Sequence, residues 1–501
     1  MTLGKQPLKL LVVGIDGAAY GIVSTMAEKG NLPNFAKLRE QSAFGPLRST
    51  FPPHTAPGWA SMFTGVEPGQ SGIFQFWDTK AKDYTPKNMN SSDYATEAIW
   101  HTLERHGLKV GVFNVPMTHP PVPLKDGYMI SWPLSTTLHY TAPKSLKAEL
   151  MKQGLHYHSD IVTMYRGQAD YHESAAKFIS GRSETTLYLQ QSHPVDALFV
   201  VFTEIDRVSH HYWGREEYPS EVVEAAYVQM DNALGDMLEL ADNNTLVVVA
   251  SDHGFGLCET DFNINEYLET IGMLKTRFVP VEGAVEAVGE EDVSVRRWFA
   301  SPHQYTREVD WENTLLYMPT PGCFGLNFNF EGREVEGCVK PEKRRELLDQ
   351  LRSELSKVTY KGEPCFEVVE ANSIYSGSMV ENAPDLIVLP NTFKIMITPN
   401  LPGKLWSEPY QEGVHWPEGI LCIRGSTFLP GETILARIED VYATILAHLG
   451  LPVAAGIEGH WLKNPPSEVV REVGRSNQHG RELTAQEASF MDQNLAKIGY
   501  F

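Results

Sequence analysis

Apolar positions cluster along this chain in short, nearly unbroken runs: "LKLLVVGI" from residue 8, "ALFVVF" from 197, "TLVVVAS" from 245, "DLIVL" from 385 and "GILCIRG" from 419. Runs of this length suit strands covered on both faces, as in a parallel sheet, better than the alternating strands of a sheet with one wet face. The segments between them carry the helical period. From residue 219 to about 241, Val223, Tyr227, Met230, Leu234, Met237 and Leu238 recur at helical spacing, so a helix is predicted there. Strand runs alternating with helices predict an α/β fold with a mostly parallel central sheet flanked by helices. The pattern weakens between residues 259 and 380, where "VEGAVEAVGEEDVSV" is acidic and loop-like and "ENTLLYMPTPGCFGLNFNFEGRE" reads as a hairpin. An inserted smaller α+β cap domain is expected over 259–380, within a discontinuous core of 1–258 and 381–501.

Ligand sites in open α/β sheets lie beyond the carboxyl ends of the strands. Four such ends carry chemistry: "LLVVGID" ends in Asp16, "LFVVFTEID" in Asp206, "LVVVASDH" in Asp252 and His253, and "EGVHWPEG" places His415 before the last run. In "DRVSHH", His210 follows Asp206 by four residues and shares its helical face, whereas His211 is rotated off it. Asp252 and His253 would point to opposite faces of a regular strand, and Gly254 and Gly256 are expected to break it so that both converge. A further segment, "FPPHTAPGWASMFTG", fixes Thr55 between proline-stiffened turns at the start of a predicted helix. Carboxylates and imidazoles without a thiolate suit Zn²⁺ or Mn²⁺, and enough ligands are present for two ions; Thr55 bound to one of them would lose its proton easily, and the rigid proline-flanked turn would aim it at phosphorus. His54 and His211, each beside a chosen residue, are read as structural.

Charge and cysteine usage narrow the partners. In 501 residues, 63 acidic against 42 basic side chains give a net charge of −21, which opposes nonspecific attraction to nucleic acid or an anionic membrane. The expected partner is a small-molecule phosphoester, held by a local cationic centre. Five scattered cysteines without CxxC spacing read as free thiols of a reducing compartment. The N-terminal stretch lacks the h-region of a signal peptide and no apolar run approaches a membrane span, so a cytoplasmic location is expected.

The ordered set "GIDG", "PPHTAPGWASMFTG", "DRVSHHYW", "SDHGFG" and "GVHWPEG", together with "NVPMTHPPVP" at 114–123 and "NFEGREVEG" at 329–337, resembles the alkaline phosphatase superfamily. The similarity is to the branch of type I phosphodiesterases and nucleotide pyrophosphatases and runs from residue 8 to about 465. The resemblance implies an alkaline phosphatase-like core and two metal ions, most readily Zn²⁺, with Mn²⁺ as the other choice. One would be held by Asp206, His210 and His415, the other by Asp16, Asp252, His253 and the Thr55 hydroxyl. It further implies hydrolysis of phosphodiester or pyrophosphate bonds through a phosphothreonine on Thr55. A phosphomutase, or a phosphomonoesterase or phosphonate hydrolase of the same superfamily, is the alternative; a non-catalytic metal-binding protein would lack a ligand or the nucleophile, and none is lacking. Position 58 is glycine, so the donor to the phosphoryl oxygen is expected to be a backbone N–H or a side chain such as Asn114. Substrate selection is expected within 280–310.

Overall fold

The computed structural model describes residues 8–133, 137, 139–157, 170–280, 305–463 and 471–472. Most of the 280–310 segment expected to select substrate therefore lies outside the described residues. Among the described residues the central sheet has nine strands: β1 (Leu10–Ile15), β2 (Ala43–Arg48), β3 (Val110–Phe113), β4 (Tyr128–Ile130), β5 (Thr141–Ala142), β6 (Ala197–Phe202), β7 (Leu246–Ala250), β8 (Glu418–Arg424) and β9 (Ala436–Arg437). Their order is β9-β2-β8-β7-β1-β6-β3-β4-β5. Only β8 and β5 run against the rest, pairing antiparallel with β7 and β2 and with β4 respectively. In register, Leu10 lies beside Ala197 and Leu246, and Ile15 beside Phe202.

The unbroken apolar runs have the cause that was expected: both faces of the sheet are covered. Leu11, Val13 and Ile15 of β1 join Leu198, Val200 and Phe202 of β6 in one hydrophobic layer, which includes the helix Glu221–Leu238. Leu10 and Val12 join Ala197, Phe199 and Val201 in the other, which includes Trp59, Met62 and Phe63 of the helix Thr55–Thr64. Side chains that alternate across a strand thus meet apolar neighbours whichever way they point.

A second hydrophobic cluster runs from Phe262 to Ile397. It holds a four-stranded antiparallel sheet, in the order Leu316–Tyr317, Gly325–Phe328, Leu386–Pro390, Phe366–Glu370. The helix Arg344–Leu355 contributes Leu347, Leu348, Leu351 and Leu355 to this cluster. The predicted hairpin is present, with Leu316 opposite Phe328. The run "DLIVL" is not a strand of the central sheet: Leu386–Pro390 pairs antiparallel with Phe366–Glu370. Burial on both faces makes such a run look the same in either sheet, and only pairing decides. No helix among the described residues is long and apolar enough to cross a membrane.

Candidate active site

Asp16 follows β1 directly; its N–H donates to Phe202 O (2.9 Å), and its carbonyl accepts from the N–H of Asp206 (3.1 Å). Two aspartates from the ends of neighbouring strands are thereby joined through the backbone. Gly17 permits this: its φ is +75°, and a Cβ there would stand 2.9 Å from Asp206 Cα. Asp206 lies in the first turn of the helix Glu204–Tyr212, and His210, one turn on along the same face, brings Nε2 to 3.5 Å from Asp206 Oδ1.

The chain breaks between β7 and the strand Gly254–Leu257, at Ser251–His253. The break precedes the glycines expected to cause it. Ser251 holds the turn instead: its Oγ accepts from the N–H of Ala18 (2.9 Å) and donates to His253 O (2.6 Å). The strand Gly413–Trp416 pairs antiparallel with Gly254–Leu257, which sets His415 opposite Phe255 and beside the cluster. Thr55 is the first residue of the helix Thr55–Thr64, whose residues are all buried. His54 caps that helix, Nδ1 accepting from the N–H of Ala56 (3.3 Å), and Thr55 Oγ1 lies 3.3 Å from His253 Nε2.

The proton positions follow from the partners. His210, His253 and His415 direct Nδ1 at the carbonyls of Gly413 (3.0 Å), Gly254 (3.0 Å) and Pro53 (3.1 Å). A carbonyl only accepts, so Nδ1 carries hydrogen and a neutral ring keeps a lone pair on Nε2. These nitrogens converge. His415 Nε2 lies 3.0 Å from both His210 Nε2 and Asp206 Oδ1. His253 Nε2 lies 3.2 Å from Asp252 Oδ2, 3.5 Å from Asp16 Oδ1 and 3.7 Å from Asp206 Oδ1. Lone pairs facing one another at this range repel unless a proton or a cation stands between them. No donor among the described residues reaches the buried Asp16 Oδ1 or Asp252 Oδ2.

Electrostatics point the same way. Burial holds His210 and His253 well below the usual imidazole range, so they stay neutral. Burial, reinforced by the charge of Asp206, pushes Asp16 well above the usual carboxylate range, and burial with the charges of Asp16 and Asp206 does the same to Asp252. For Asp206 burial acts upward too, but the adjacent Arg207 guanidinium works against it and the group is held well below that range. Three buried carboxylates with one adjacent guanidinium are short of positive charge, which divalent cations would supply. Two ligand groups, each with all its donor atoms within 4.8 Å of one another, can take an ion: Asp206, His253 and His415, and Asp16, Asp252 and His253. His253 belongs to both, and His210 adjoins the first through His415. The partition implied by resemblance is therefore less sharp in this geometry, with the His253 nitrogen between the two groups.

Two further residues shape the cluster. Buried Arg207 donates from Nη1 to Asp206 Oδ2 (2.6 Å) and lies over the Trp132 ring at 5.6 Å. Trp59 donates from Nε1 to Asp16 Oδ2 (3.2 Å). Both had a signal in the sequence: Arg207 adjoins Asp206, and Trp59 follows Thr55 by one helical turn on the same face. Asn114 behaves differently. Its Nδ2 donates to Val201 O (2.8 Å), its Oδ1 accepts from the Tyr157 hydroxyl (2.6 Å), and neither bond reaches the cluster. His54 and His211 carry out packing: His54 meets the Phe76 ring at 5.0 Å, and His211, pushed down to about 4 by burial, meets Tyr410 at 6.4 Å.

The family model described as type I phosphodiesterase / nucleotide pyrophosphatase matches residues 10–415. Among curated proteins none matches. Among solved structures, murine ectonucleotide pyrophosphatase / phosphodiesterase 5, an inactive variant in complex with AMP, is similar with a TM-score of 0.52 and 14% identity over 89% of this chain and 95% of that one. Phosphonoacetate hydrolase from Sinorhizobium meliloti 1021, in complex with phosphonoformate, has a TM-score of 0.57 and 13% identity over 87% and 94%. At these identities the likeness is one of fold.

Proposed function

Because the chain belongs to the type I phosphodiesterase / nucleotide pyrophosphatase family, we propose that it hydrolyses phosphodiester or pyrophosphate bonds with two divalent metal ions and Thr55 as nucleophile. The observation that carries this reading is the convergence of the Nε2 atoms of His210, His253 and His415 with the carboxylates of Asp16, Asp206 and Asp252, with Thr55 Oγ1 3.3 Å from His253 Nε2 and no donor among the described residues reaching Asp16 Oδ1 or Asp252 Oδ2. The residues fit Zn²⁺ or Mn²⁺: hard oxygen and imidazole ligands, no thiolate, and second partners on every histidine. Bound there, two such ions supply the positive charge that favours an alkoxide and stabilises the oxygen leaving phosphorus.

The protein's own part is orientation. Thr55 sits at a capped helix start, where the helix dipole favours an anion. Ala56 N–H is turned to His54 Nδ1, residue 57 is proline and Gly58 N–H closes on His54 O, so the N–H of Thr55 remains to meet a phosphoryl oxygen. The Thr55 proton passes to solvent as Oγ1 attacks and forms a phosphothreonine, the leaving oxygen takes up a proton from solvent as its bond to phosphorus breaks, and water then displaces Thr55 from phosphorus and returns a proton to Oγ1. His210 and His253, held neutral by burial and with Nδ1 on a carbonyl, take no proton in either step. We assign the cluster from Phe262 to Ile397 to a roof over this site, because Pro321, Gly322, Phe324, Phe393, Ile395 and Met396 line one pocket together with His210 and His415.

Thr55→Ala should remove nearly all turnover of an aryl phosphodiester while elemental analysis still finds metal, and Thr55→Ser should retain substantial turnover. Full activity of Thr55→Ala would leave water as the nucleophile, and full activity of rigorously metal-free protein would end the two-ion reading.

A further inference from the structure

Asp16, Asp206 and Asp252 each turn one oxygen to the cluster, where Asp16 Oδ1, Asp206 Oδ1 and Asp252 Oδ2 face the histidine nitrogens. A donor holds the other oxygen of each: Trp59 Nε1–H for Asp16, Arg207 Nη1 for Asp206, and for Asp252 the backbone N–H of Gly17, 3.3 Å from Oδ1. The first two donors are side chains packed in the core, whereas the third is only as well placed as the turn that carries it. That turn, residues 16–19, directs three successive N–H groups at side chains of other segments. Gly17 N–H meets Asp252, Ala18 N–H meets Ser251 Oγ at 2.9 Å, and Ala19 N–H meets the Tyr227 hydroxyl at 3.1 Å. Ala19 precedes the helix Tyr20–Glu28 and has no side chain that could cap it, so the Tyr227 oxygen, on the helix Glu221–Leu238, marks where that helix starts. Ser251 also donates to His253 O (2.6 Å), so a single oxygen ties the turn to the residues on both sides of Asp252. Both hydroxyl residues are buried, and a buried N–H deprived of its acceptor is costly enough to make a turn shift in search of another.

Building on the two-ion reading above, we propose that Ser251 and Tyr227 are positioning residues: their hydroxyls fix the turn at 16–19 against Asp252 and His253, and thereby set the affinity for the ion that Asp16, Asp252 and His253 can hold. Asp16 and Asp252 come from the ends of β1 and β7, and the bonds from the turn to Ser251 and Asp252 span 233 and 235 residues of chain. The two strands fix the spacing of their last residues, but the carboxylates lie beyond that pairing, where these hydroxyls take over. Asp206, His210 and His415 lie on the helix Glu204–Tyr212 and the strand Gly413–Trp416, to which neither hydroxyl bonds among the described residues. The ion on that side therefore feels the two hydroxyls only through His253, which both ligand groups share.

Calorimetric titration of metal-free full-length protein with Zn²⁺ tests this. The wild type should take up two ions in two steps, and Asp16→Asn should remove the step that belongs to the Asp16 group. Ser251→Ala should weaken that same step by about 10- to 100-fold, as expected for losing a group that orients a ligand, Tyr227→Phe by about three- to tenfold, and the other step should move by less than about threefold in either variant. Because both hydroxyls hold one turn, the double variant should fall short of the product of the two effects. In turnover of an aryl phosphodiester the Zn²⁺ concentration for half-maximal rate should rise in parallel, and saturating Zn²⁺ should restore kcat to within about threefold, a rescue that a partly unfolded protein would not show. Ser42→Ala, which removes a buried hydroxyl bonded to Leu38 O, should leave both steps as they are. If Ser251→Ala folds poorly, Tyr227→Phe, which keeps its ring in the core, decides the question. Two wild-type steps that neither variant shifts, or that both variants shift alike, would overturn the positioning role and leave the two-ion reading standing. A wild type that binds fewer than two ions would overturn both.

Discussion

Gly58 lies where the helix bearing Thr55 touches the opposite wall of the cluster. A Cβ at this position would stand 3.0 Å from Asp252 Cβ and 3.3 Å from Asp252 O. The helix therefore approaches Asp252 as closely as backbone allows, and the absence of a side-chain donor at position 58 has a steric cause. Gly58→Ala sets two effects against each other. Alanine favours the helix by up to about 1 kcal/mol, while the added methyl must move Asp252 by a few tenths of an ångström. The expected outcome is stability within about 1 kcal/mol of wild type by urea denaturation, but at least a tenfold loss of turnover and weaker metal binding by titration, because ligand geometry tolerates little displacement. Unchanged turnover would mean that Asp252 is not held to its place by this contact. Arg207 and Trp59 act on the same scale: each fixes one carboxylate oxygen of Asp206 and Asp16 and leaves the other oxygen turned to the cluster.

Among the elements, the pairing of Gly254–Leu257 with Gly413–Trp416 matters most, since it carries His415 across about 160 residues of chain to the strand that follows His253. Gly256 makes room for it: a Cβ there would meet the Trp416 indole at 2.3 to 2.6 Å. Gly256→Ala should displace Trp416 and with it His415, reducing metal occupancy and turnover together, while Thr55 and the central sheet stay as they are. Metal analysis beside a thermal melt would separate this from general unfolding. The central sheet and the Asp206 and His210 helix were legible in the sequence because each rests on a local period, continuous apolar runs or a four-residue spacing. The break at Ser251–His253 was legible in position but not in cause, since it depends on hydrogen bonds from Ser251 to Ala18 and to His253. The sheet to which "DLIVL" belongs was not legible, because pairing between Leu386–Pro390 and Phe366–Glu370 leaves no mark in local composition. Nor was the other engagement of Asn114, whose partners Val201 and Tyr157 are distant in sequence.

For the whole molecule, the question is what ties the smaller sheet to the core so that its pocket residues stay over the cluster. Asp385 is one such tie. Its carboxylate accepts both Arg333 Nη1 (2.8 Å) and Nη2 (2.7 Å), lies 3.1 Å from Lys80 Nζ, and takes the N–H of Phe328 (2.9 Å). Lys80 and its neighbour Thr79 come from the segment that follows the Thr55 helix, and Asn327 donates to Thr79 O at 2.7 Å. The junction therefore joins the nucleophile's side of the chain to the strands Gly325–Phe328 and Leu386–Pro390. Burial acts to raise the Asp385 pKa, but Arg333 and Lys80 outweigh it and the group is held below the usual carboxylate value. A depressed folded pKa contributes stability that is present above the unfolded value of about 3.9 and lost as pH falls through the folded value. Asp385→Asn keeps the shape but leaves two cations facing an uncharged amide. It should cost about 2 to 3 kcal/mol at pH 7, toward the lower end for a broken buried pair because Arg333 and Lys80 are partly exposed. The loss should shrink below about pH 4, where the unfolded wild-type chain takes up the proton that its folded carboxylate still resists. Urea midpoints of both proteins at pH 7 and near pH 3 check this. A cost that does not change with pH would show that packing, and not charge, secures the junction.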